Sequence, residues 1–206
     1  MVDVPAVQPI FPDRLAHTIV ERTPRGRRAV VAIDGADAAD PVEFATRVRD
    51  VAASDGRSAT VIDLHDFVRP ASLRFEYSRT DELTYRTTWF DFDALDREVI
   101  APLQPGGRGR ILPRLWDEAT DRSARATLVD AAPDHLVIVA GPMLLGRVSA
   151  AVVVHLTLSA ATLRRRTGES EQWTLEPLAE YYRDVTDRPD FLVRWDHPDR
   201  PAIIPS

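Results

Sequence analysis

The feature that most constrains the fold is a regular alternation of short apolar runs with amphipathic stretches. The apolar runs are rich in β-branched residues and do not alternate strictly between apolar and polar positions, which is typical of strands covered on both faces. They are "RAVVAI" (28–33), "SATVIDL" (58–64), "HLVIVA" (135–140), "AAVVVHL" (150–156) and "DFLVRW" (190–195). This order predicts a parallel α/β sheet with helices on both sides.

The amphipathic stretches predict the helices that connect these strands. Apolar residues recur at helical spacing over residues 12–22 and 41–53, and further helices are expected at about 93–101, 159–166 and 176–186. The stretch 66–134 is long, polar and turn-rich. We expect it to be an irregular insertion that overhangs the carboxyl ends of the strands, where ligands bind in open α/β sheets.

Composition excludes several classes of function. The net charge is -6, so no basic field favours a nucleic-acid or membrane partner. The chain has no cysteine, which excludes disulfides, thiolate nucleophiles and cysteine-bound zinc and favours the cytoplasm. All 26 basic residues are arginine, so lysine-dependent mechanisms are excluded. The five histidines have no metal-ligand spacing, and no metal site is predicted.

The segment after the first strand of this series stands where a phosphate-binding loop would lie. Counting from Gly35 along the pattern G-x-x-x-x-G-K-[ST], the last three places hold Asp40, Pro41 and Val42. Asp40 adds a carboxylate, Pro41 removes a cation and a backbone N–H donor, and Val42 cannot bind a metal ion. The same residues predict a helix start with Asp40 as the N-cap, Pro41 at the first helical position and Glu43 completing a capping-box-like pattern.

Six segments in the same order resemble the uridine kinase family of P-loop nucleoside kinases, in particular its small actinobacterial-type members. They are "VVAIDG" (30–35), "LHDFVRP" (64–70), "TWFDFDALDREVIAPLQPGG" (88–107), "RLWDEATDR" (114–122), "LVIVAGPML" (136–144) and "EYYRDVTDRPDFLVRWDHPDRPAII" (180–204). The resemblance spans residues 28–204. It implies one P-loop kinase-like domain over residues 1–206, with a five-stranded parallel sheet flanked by helices and a lid.

The chain departs from this family at positions that serve phosphate binding and catalysis. The phosphate loop is degenerate at Asp40, Pro41 and Val42, and the family's catalytic aspartate corresponds to His65. A shift of one residue would make Asp66 the base instead, and a neutral His65 could also accept a proton. The family's carboxylate before the glycine of its third strand is Ala140 here.

The resemblance also implies a substrate pocket and an anion-binding lid. Its nucleoside pocket corresponds to Tyr77, Arg79, Asp81, Trp116, Asp117 and Asp121. Its lid arginines correspond to Arg164, Arg165 and Arg166, for which a solvated helix face is the alternative.

Three functions are compatible with the sequence. The first is a degenerate kinase, or pseudokinase, that binds a nucleoside, another small molecule or a protein partner. The second is an active nucleoside kinase that holds ATP and magnesium in an unusual way, with His65 or Asp66 as base. The third is a structural or interaction module, including a homo-oligomer.

Overall fold

The computed structural model describes residues 7–205, which form a seven-stranded, mostly parallel sheet with helices on both faces and two small two-stranded sheets. The strands of the sheet are β1 (Gln8–Pro9), β2 (Ala29–Gly35), β3 (Ala59–Asp63), β4 (Leu136–Gly141), β5 (Val152–Thr157), β6 (Phe191–Arg194) and β7 (Ala202–Ile204). The α-helices are α1 (Pro12–Arg22), α2 (Pro41–Ser54), α3 (Ala71–Arg74), α4 (Glu82–Thr87), α5 (Phe92–Leu95), α6 (Ala160–Arg166) and α7 (Leu175–Asp184).

The strand order across the sheet is β1-β7-β6-β5-β2-β4-β3. The five strands from β6 to β3 are parallel to one another, which confirms the predicted α/β architecture. Two short strands extend the sheet beyond β6: β7 pairs antiparallel with β6, and β1 pairs antiparallel with β7. The chain leaves β2 towards β3 and β4 on one side and later fills β5 and β6 on the other. The end of β2 is therefore a topological switch point, where ligands bind in folds of this type.

The central strands are buried on both faces because successive side chains enter different layers. In β2, Val31 and Ile33 pack with α1 and α2, whereas Val30 and Ala32 pack with the helices of the opposite layer. All seven residues of β2 are buried, which explains the continuous apolar run from Ala29 to Ile33.

The stretch 66–134 is more ordered than the sequence suggested. It contains α3, α4 and α5, and α5 continues through a π-helical turn (Asp96–Ile100) into a 3-10 turn (Ala101–Leu103). Phe67, Tyr85, Leu95 and Ile111 are buried in the core on one face of the sheet. The apolar residues of this stretch cover the sheet, and its role as an overhang for ligand binding stays a prediction.

Candidate functional site

The loop after β2 takes a compact form that leaves little room for a phosphate cradle. Residues Asp37–Ala39 form a 3-10 turn in which the N–H of Ala39 donates to the Ala36 carbonyl at 2.8 Å. The N–H of Asp40 donates to the Asp37 carbonyl at 2.9 Å. A phosphate-binding loop presents such N–H groups to the anion. Here two of them are already bonded within the loop.

The predicted capping by Asp40 was wrong in its detail. Asp40 does occupy the N-cap position of α2 with Pro41 at the start of the helix, but its side chain makes no capping hydrogen bond. Its backbone lies in the left-handed region, with φ 52° and ψ 53°. An N-cap residue with its usual extended backbone turns its side chain towards the first N–H groups of the helix, and the left-handed conformation removes that geometry. The Asp40 carboxylate remains exposed at the helix start.

Gly35 has a packing reason that is independent of phosphate binding. A Cβ added at this position would lie 3.0 Å from the Leu156 carbonyl oxygen and 3.2 Å from the Leu156 Cβ. The glycine therefore allows β2 to approach β5 closely. Its presence at the end of β2 does not by itself indicate an anion site.

A cleft of about 530 Å³ lies at the carboxyl edge of the sheet, beside this loop. Its lining comes from the loop and start of α2, the ends of β3 and β4, the insertion and the segment before α7. Five carboxylates and one imidazole dominate it, and the lining residues are Asp37, Asp40, Pro41, Val42, Asp63, His65, Glu118, Gly141 and Glu171. No arginine lines the cleft, so its electrostatic potential is negative and disfavours a phosphate group.

A row of alternating charges crosses one side of the cleft. The buried Arg74 donates from NH1 to Oε1 of Glu118 at 2.5 Å. The other oxygen of Glu118 lies 2.7 Å from Nδ1 of His65, and Nε2 of His65 lies 3.1 Å from Oδ1 of Asp37. Both nitrogens of His65 therefore have carboxylate partners, an arrangement that fits an imidazolium. Sequence patterns did not identify Asp37, Glu118 or Glu171, because these residues stand at positions to which the quoted motifs assign no function and are distant from one another in sequence.

The surroundings of His65 favour its protonated form. Burial alone would lower the pKa of His65, but the hydrogen bonds and charges of Asp37 and Glu118 outweigh it and raise the pKa well above 6.5. The side chain is 34% exposed, so solvent weakens this effect. An imidazolium has no free lone pair to accept a proton. The role of His65 as a neutral base stays a prediction that would require it first to lose this proton.

The same arrangement predicts how stability depends on pH. Because folding raises the pKa of His65, its stabilising contribution is complete below about pH 6.5 and is lost as pH rises through the folded-state pKa. We expect the difference in melting temperature between the natural chain and the variant His65→Gln to shrink from about pH 6 to about pH 9. Thermal unfolding followed by circular dichroism would measure it. A difference that is constant over this range would contradict the assignment.

Asp66 is paired with an arginine and makes no hydrogen bond to this row of charges in the described part of the chain. Its Oδ1 accepts a hydrogen bond from Nε of Arg114 at 2.6 Å, and it is not among the residues that line the cleft. Burial raises the pKa of Asp66, and the Arg114 guanidinium opposes that rise. Of the two residues predicted as a base, the structure places His65 in the cleft and pairs Asp66 with an arginine. The catalytic role of Asp66 stays a prediction.

The six residues predicted for a nucleoside pocket fall into two groups. Trp116 and Asp121 lie together, with Nε1 of Trp116 donating to Oδ1 of Asp121 at 3.0 Å, and Asp121 also lies 3.6 Å from Arg74. Asp117 accepts the N–H of Thr120 at 3.0 Å in the same turn.

The other three residues have local contacts along α4 and before it. Asp81 caps α4 through the N–H of Thr84 at 2.7 Å, and Arg79 lies over the Phe75 ring. Tyr77 is 77% exposed. None of the six lines the cleft, and a shared nucleoside-binding role for them stays a prediction.

The three consecutive arginines of α6 lie beside the loop after β2 and outside the cleft lining. NH2 of Arg166 donates to the Asp196 carbonyl at 2.8 Å, and its NH1 lies 3.5 Å from the Ala38 carbonyl. NH2 of Arg165 donates to the Thr162 hydroxyl at 3.3 Å, while Arg164 is exposed. These contacts do not test whether the three arginines form an anion-binding lid, and that role stays a prediction.

A buried cluster behind the loop was missed by the sequence patterns. Asp34 is fully buried, and its Oδ1 accepts hydrogen bonds from the N–H of Leu144 at 2.7 Å and from the Tyr182 hydroxyl at 3.1 Å. Its Oδ2 lies 2.5 Å from Nδ1 of His155, the residue paired with it across β2 and β5. A single carboxylate thus joins β2 to β5, to the turn after β4 and to α7. The only signal in the sequence was an aspartate that ends an apolar strand.

A second cavity, of about 520 Å³, lies at the opposite edge of the sheet. Its lining includes Arg27, Arg28 and Pro105. Nε of Arg28 is bonded to the Ala131 carbonyl at 2.9 Å. We regard the carboxyl-edge cleft as the candidate site, since it lies at the topological switch point.

Comparisons with known proteins agree with the fold. No family model and no curated protein matches the sequence. A structure described as a possible uridine kinase from Bacillus stearothermophilus shares 19% identity, covering 88% of this chain and 96% of that one with a TM-score of 0.65. A provisionally assigned fructose transport system kinase from Silicibacter sp. TM1040 shares 17%, covering 89% and 98% with a TM-score of 0.67.

A third similar structure is D-glycerate 3-kinase from Cryptococcus neoformans. It shares 12% identity, covering 89% of this chain and 95% of that one, with a TM-score of 0.58. At such identities the likeness concerns the fold alone: the chain has the mixed α/β fold of these kinases. Within residues 7–205, no helix is both long and apolar enough to cross a membrane.

Proposed function

We propose that this chain is a uridine kinase-like protein that does not catalyse ordinary ATP-dependent phosphoryl transfer and instead binds a small molecule in its carboxyl-edge cleft. The observation that carries the proposal is the chemistry of the loop after β2. Two of its N–H groups are bonded inside a 3-10 turn, and Asp37, Asp40, Pro41 and Val42 face the cleft where a kinase would hold phosphate.

Repulsion from a single carboxylate is enough to weaken phosphate binding strongly. Two unit charges separated by about 4 Å interact by about 4 kcal/mol at an effective dielectric constant of about 20. A phosphate held that close to one carboxylate would therefore lose roughly a thousandfold in affinity. The cleft has five carboxylates, and His65 and Arg74 compensate only part of that charge. Magnesium held between the phosphates and one or two of these carboxylates would offset part of this repulsion.

The alternative function is an active nucleoside kinase with an atypical phosphate loop. The kinase-like fold favours it, and Arg166 beside the loop is the nearest cationic side chain of α6. A third possibility, an interaction module or a homo-oligomer, rests on the exposed Leu73, Tyr77 and Leu83 in the insertion. Neither alternative accounts for the concentration of carboxylates in the cleft.

Isothermal titration with magnesium-ATP tests the proposal. We expect no binding up to about 1 mM, which corresponds to a binding free energy weaker than about -4 kcal/mol. Micromolar binding, followed by turnover with uridine or another nucleoside, would contradict the proposal and support the active kinase.

A matched variant tests the reason for the loss. The combined change Asp40→Gly, Pro41→Lys and Val42→Ser restores the residue types of a phosphate loop and removes one carboxylate. We expect magnesium-ATP to bind this variant at least about tenfold more tightly than the natural chain. Unchanged binding would mean that the 3-10 turn and the remaining carboxylates, and not these three residues, prevent magnesium-ATP from binding.

A further inference from the structure

We propose that His65 is a pH-sensitive latch, which holds the loop after β2 against the insertion and narrows the carboxyl-edge cleft while its ring is protonated. The ring stands between carboxylates from two different parts of the fold. Its Nδ1 lies 2.7 Å from Glu118 in the insertion, and its Nε2 lies 3.1 Å from Asp37 in the loop. Both carboxylates line the cleft. The inference goes beyond the proposed function, because it concerns how the cleft opens and not which molecule binds there.

Only the protonated ring of His65 can make both contacts. An imidazolium donates a hydrogen bond from each nitrogen, whereas a neutral imidazole has one N–H donor and one lone pair. Once the proton leaves, the lone pair of one nitrogen faces a carboxylate oxygen at hydrogen-bond distance, and two acceptors in that position repel each other. The loss of one proton therefore breaks one of the two contacts.

The surroundings of the two carboxylates indicate which contact breaks. Glu118 is held by the buried Arg74, whose NH1 donates to its Oε1 at 2.5 Å and whose Nε donates to the Arg69 carbonyl at 2.7 Å. The Asp37 side chain is 55% exposed, and within residues 7–205 it makes no other hydrogen bond or ion pair. The neutral ring therefore keeps its N–H towards Glu118, and the Asp37 carboxylate turns to water.

His65 itself stays in place when Asp37 leaves. Its backbone N–H donates to Asp63 at the end of β3 at 2.9 Å, and its ring lies edge-on to the Phe90 ring with centroids 5.3 Å apart. Neither contact depends on the charge of the ring. The segment that moves is therefore the loop after β2, which carries Asp37 and Asp40 at the wall of the cleft.

The charges around His65 set the pH at which the latch opens. Burial alone would lower the pKa of His65, but Asp37 and Glu118 outweigh burial and raise it well above 6.5. Burial raises the pKa of Tyr85, which packs on Phe90, well above 10, so this phenol stays neutral. Carboxylates ordinarily titrate near pH ~4 and guanidinium groups above pH ~12, so His65 changes its charge between them. The other charged groups near the ring or in the cleft lining are Asp40, Asp63, Asp66 with its partner Arg114, Arg74 and Glu171.

Hydrogen–deuterium exchange of the full chain, followed by mass spectrometry at about pH 6 and about pH 9, tests the latch. Labelling times are adjusted for the intrinsic pH dependence of amide exchange. The reporters are the N–H groups of Ala39 and Asp40, which close the 3-10 turn of the loop. We expect their protection to fall at least about threefold at the higher pH, because the turn opens more often once Asp37 is released. The buried strand β4 reports global opening, and its protection should fall less than that of the loop.

Three variants assign the response to the ring of His65. His65→Gln has no titratable ring, so the difference in loop protection between the two pH values should shrink to less than about twofold. Asp37→Asn offers both a donor and an acceptor and can bond to the ring in either protonation state, so its response should shrink likewise. Asp37 is exposed, and this substitution leaves the core intact. His197→Gln, at an exposed histidine outside the cleft lining, is the matched control and should keep the full response.

Three results would overturn the inference. The first is a fall in loop protection of less than about threefold in the natural chain, and the second is an equal fall in β4. The third is a response that persists in full in His65→Gln, which would assign it to another group, such as His155 beside Asp34. None of these results bears on whether magnesium-ATP binds, so the latch and the proposed function fail or stand separately.

Discussion

Replacing Asp34 with alanine is expected to lower the free energy of unfolding by about 3–5 kcal/mol, because it removes one member of a buried hydrogen-bonded set. Asp34 is fully buried at the end of β2, and its carboxylate has partners on three other parts of the fold. Alanine would leave the Leu144 N–H, the Tyr182 hydroxyl and the His155 ring without that acceptor. Each such unsatisfied group carries its own desolvation penalty.

Urea unfolding of the natural chain and the variant would measure this difference. The variant Asp34→Asn is the matched control, because its amide oxygen can still accept the Leu144 N–H and the Tyr182 hydroxyl. Its loss should be clearly smaller than that of Asp34→Ala. If alanine lowers the free energy of unfolding by less than about 1 kcal/mol, the Asp34 carboxylate does not stabilise the contacts of β2 with β5, the turn after β4 and α7 as its hydrogen bonds indicate.

Replacing Arg57 with alanine is expected to lower the free energy of unfolding by a similar amount, about 3–5 kcal/mol. The Arg57 side chain is fully buried at the amino edge of the sheet, opposite the cleft. Nε donates to the Asp134 carbonyl at 2.8 Å and NH2 donates to the Pro24 carbonyl at 3.0 Å. NH1 donates to the Thr23 hydroxyl. The guanidinium thus joins the end of α1 to the turn before β4.

Lysine at position 57 is the control for this prediction. It keeps the positive charge, but an ammonium on a flexible stem cannot match the fixed directions of a guanidinium that serves several acceptors. Burial lowers the pKa of Arg57, and a lysine there would lose its charge more readily. We expect Arg57→Lys to lie between the natural chain and Arg57→Ala in a urea titration. Equal stabilities for all three proteins would show that these hydrogen bonds do not contribute.

Local patterns were sufficient for the layered architecture. The predicted helix at 12–22 matches α1, and the predicted strand at 135–140 is shifted by one residue from β4. These elements could be predicted because strands buried on both faces are continuous apolar runs, and helices buried on one face have apolar residues at helical spacing. The predicted alternation of strands and helices also indicated a parallel sheet, because two parallel strands in one sheet are joined by a crossover connection that usually contains a helix.

The insertion was harder to predict because its core residues are spaced irregularly. Tyr85, Trp89 and Phe90 are buried against one another and against the sheet, yet short helices and turns separate them from the other core residues. No constant period connects such residues. Their burial depends on how the chain folds back over the sheet, and this is a tertiary property.

The sequence by itself determined the parallel α/β fold, the departure from a phosphate-loop pattern at Asp40, Pro41 and Val42, and the absence of lysine and cysteine chemistry. Each follows from residue identity or from contacts between near neighbours. Only the tertiary structure decided that Asp37, Glu118 and Glu171 share one cleft, that two carboxylates hold His65, and that Asp34 bonds to His155 and Tyr182. Charges act through space, so their effects depend on how distant segments come together in the fold.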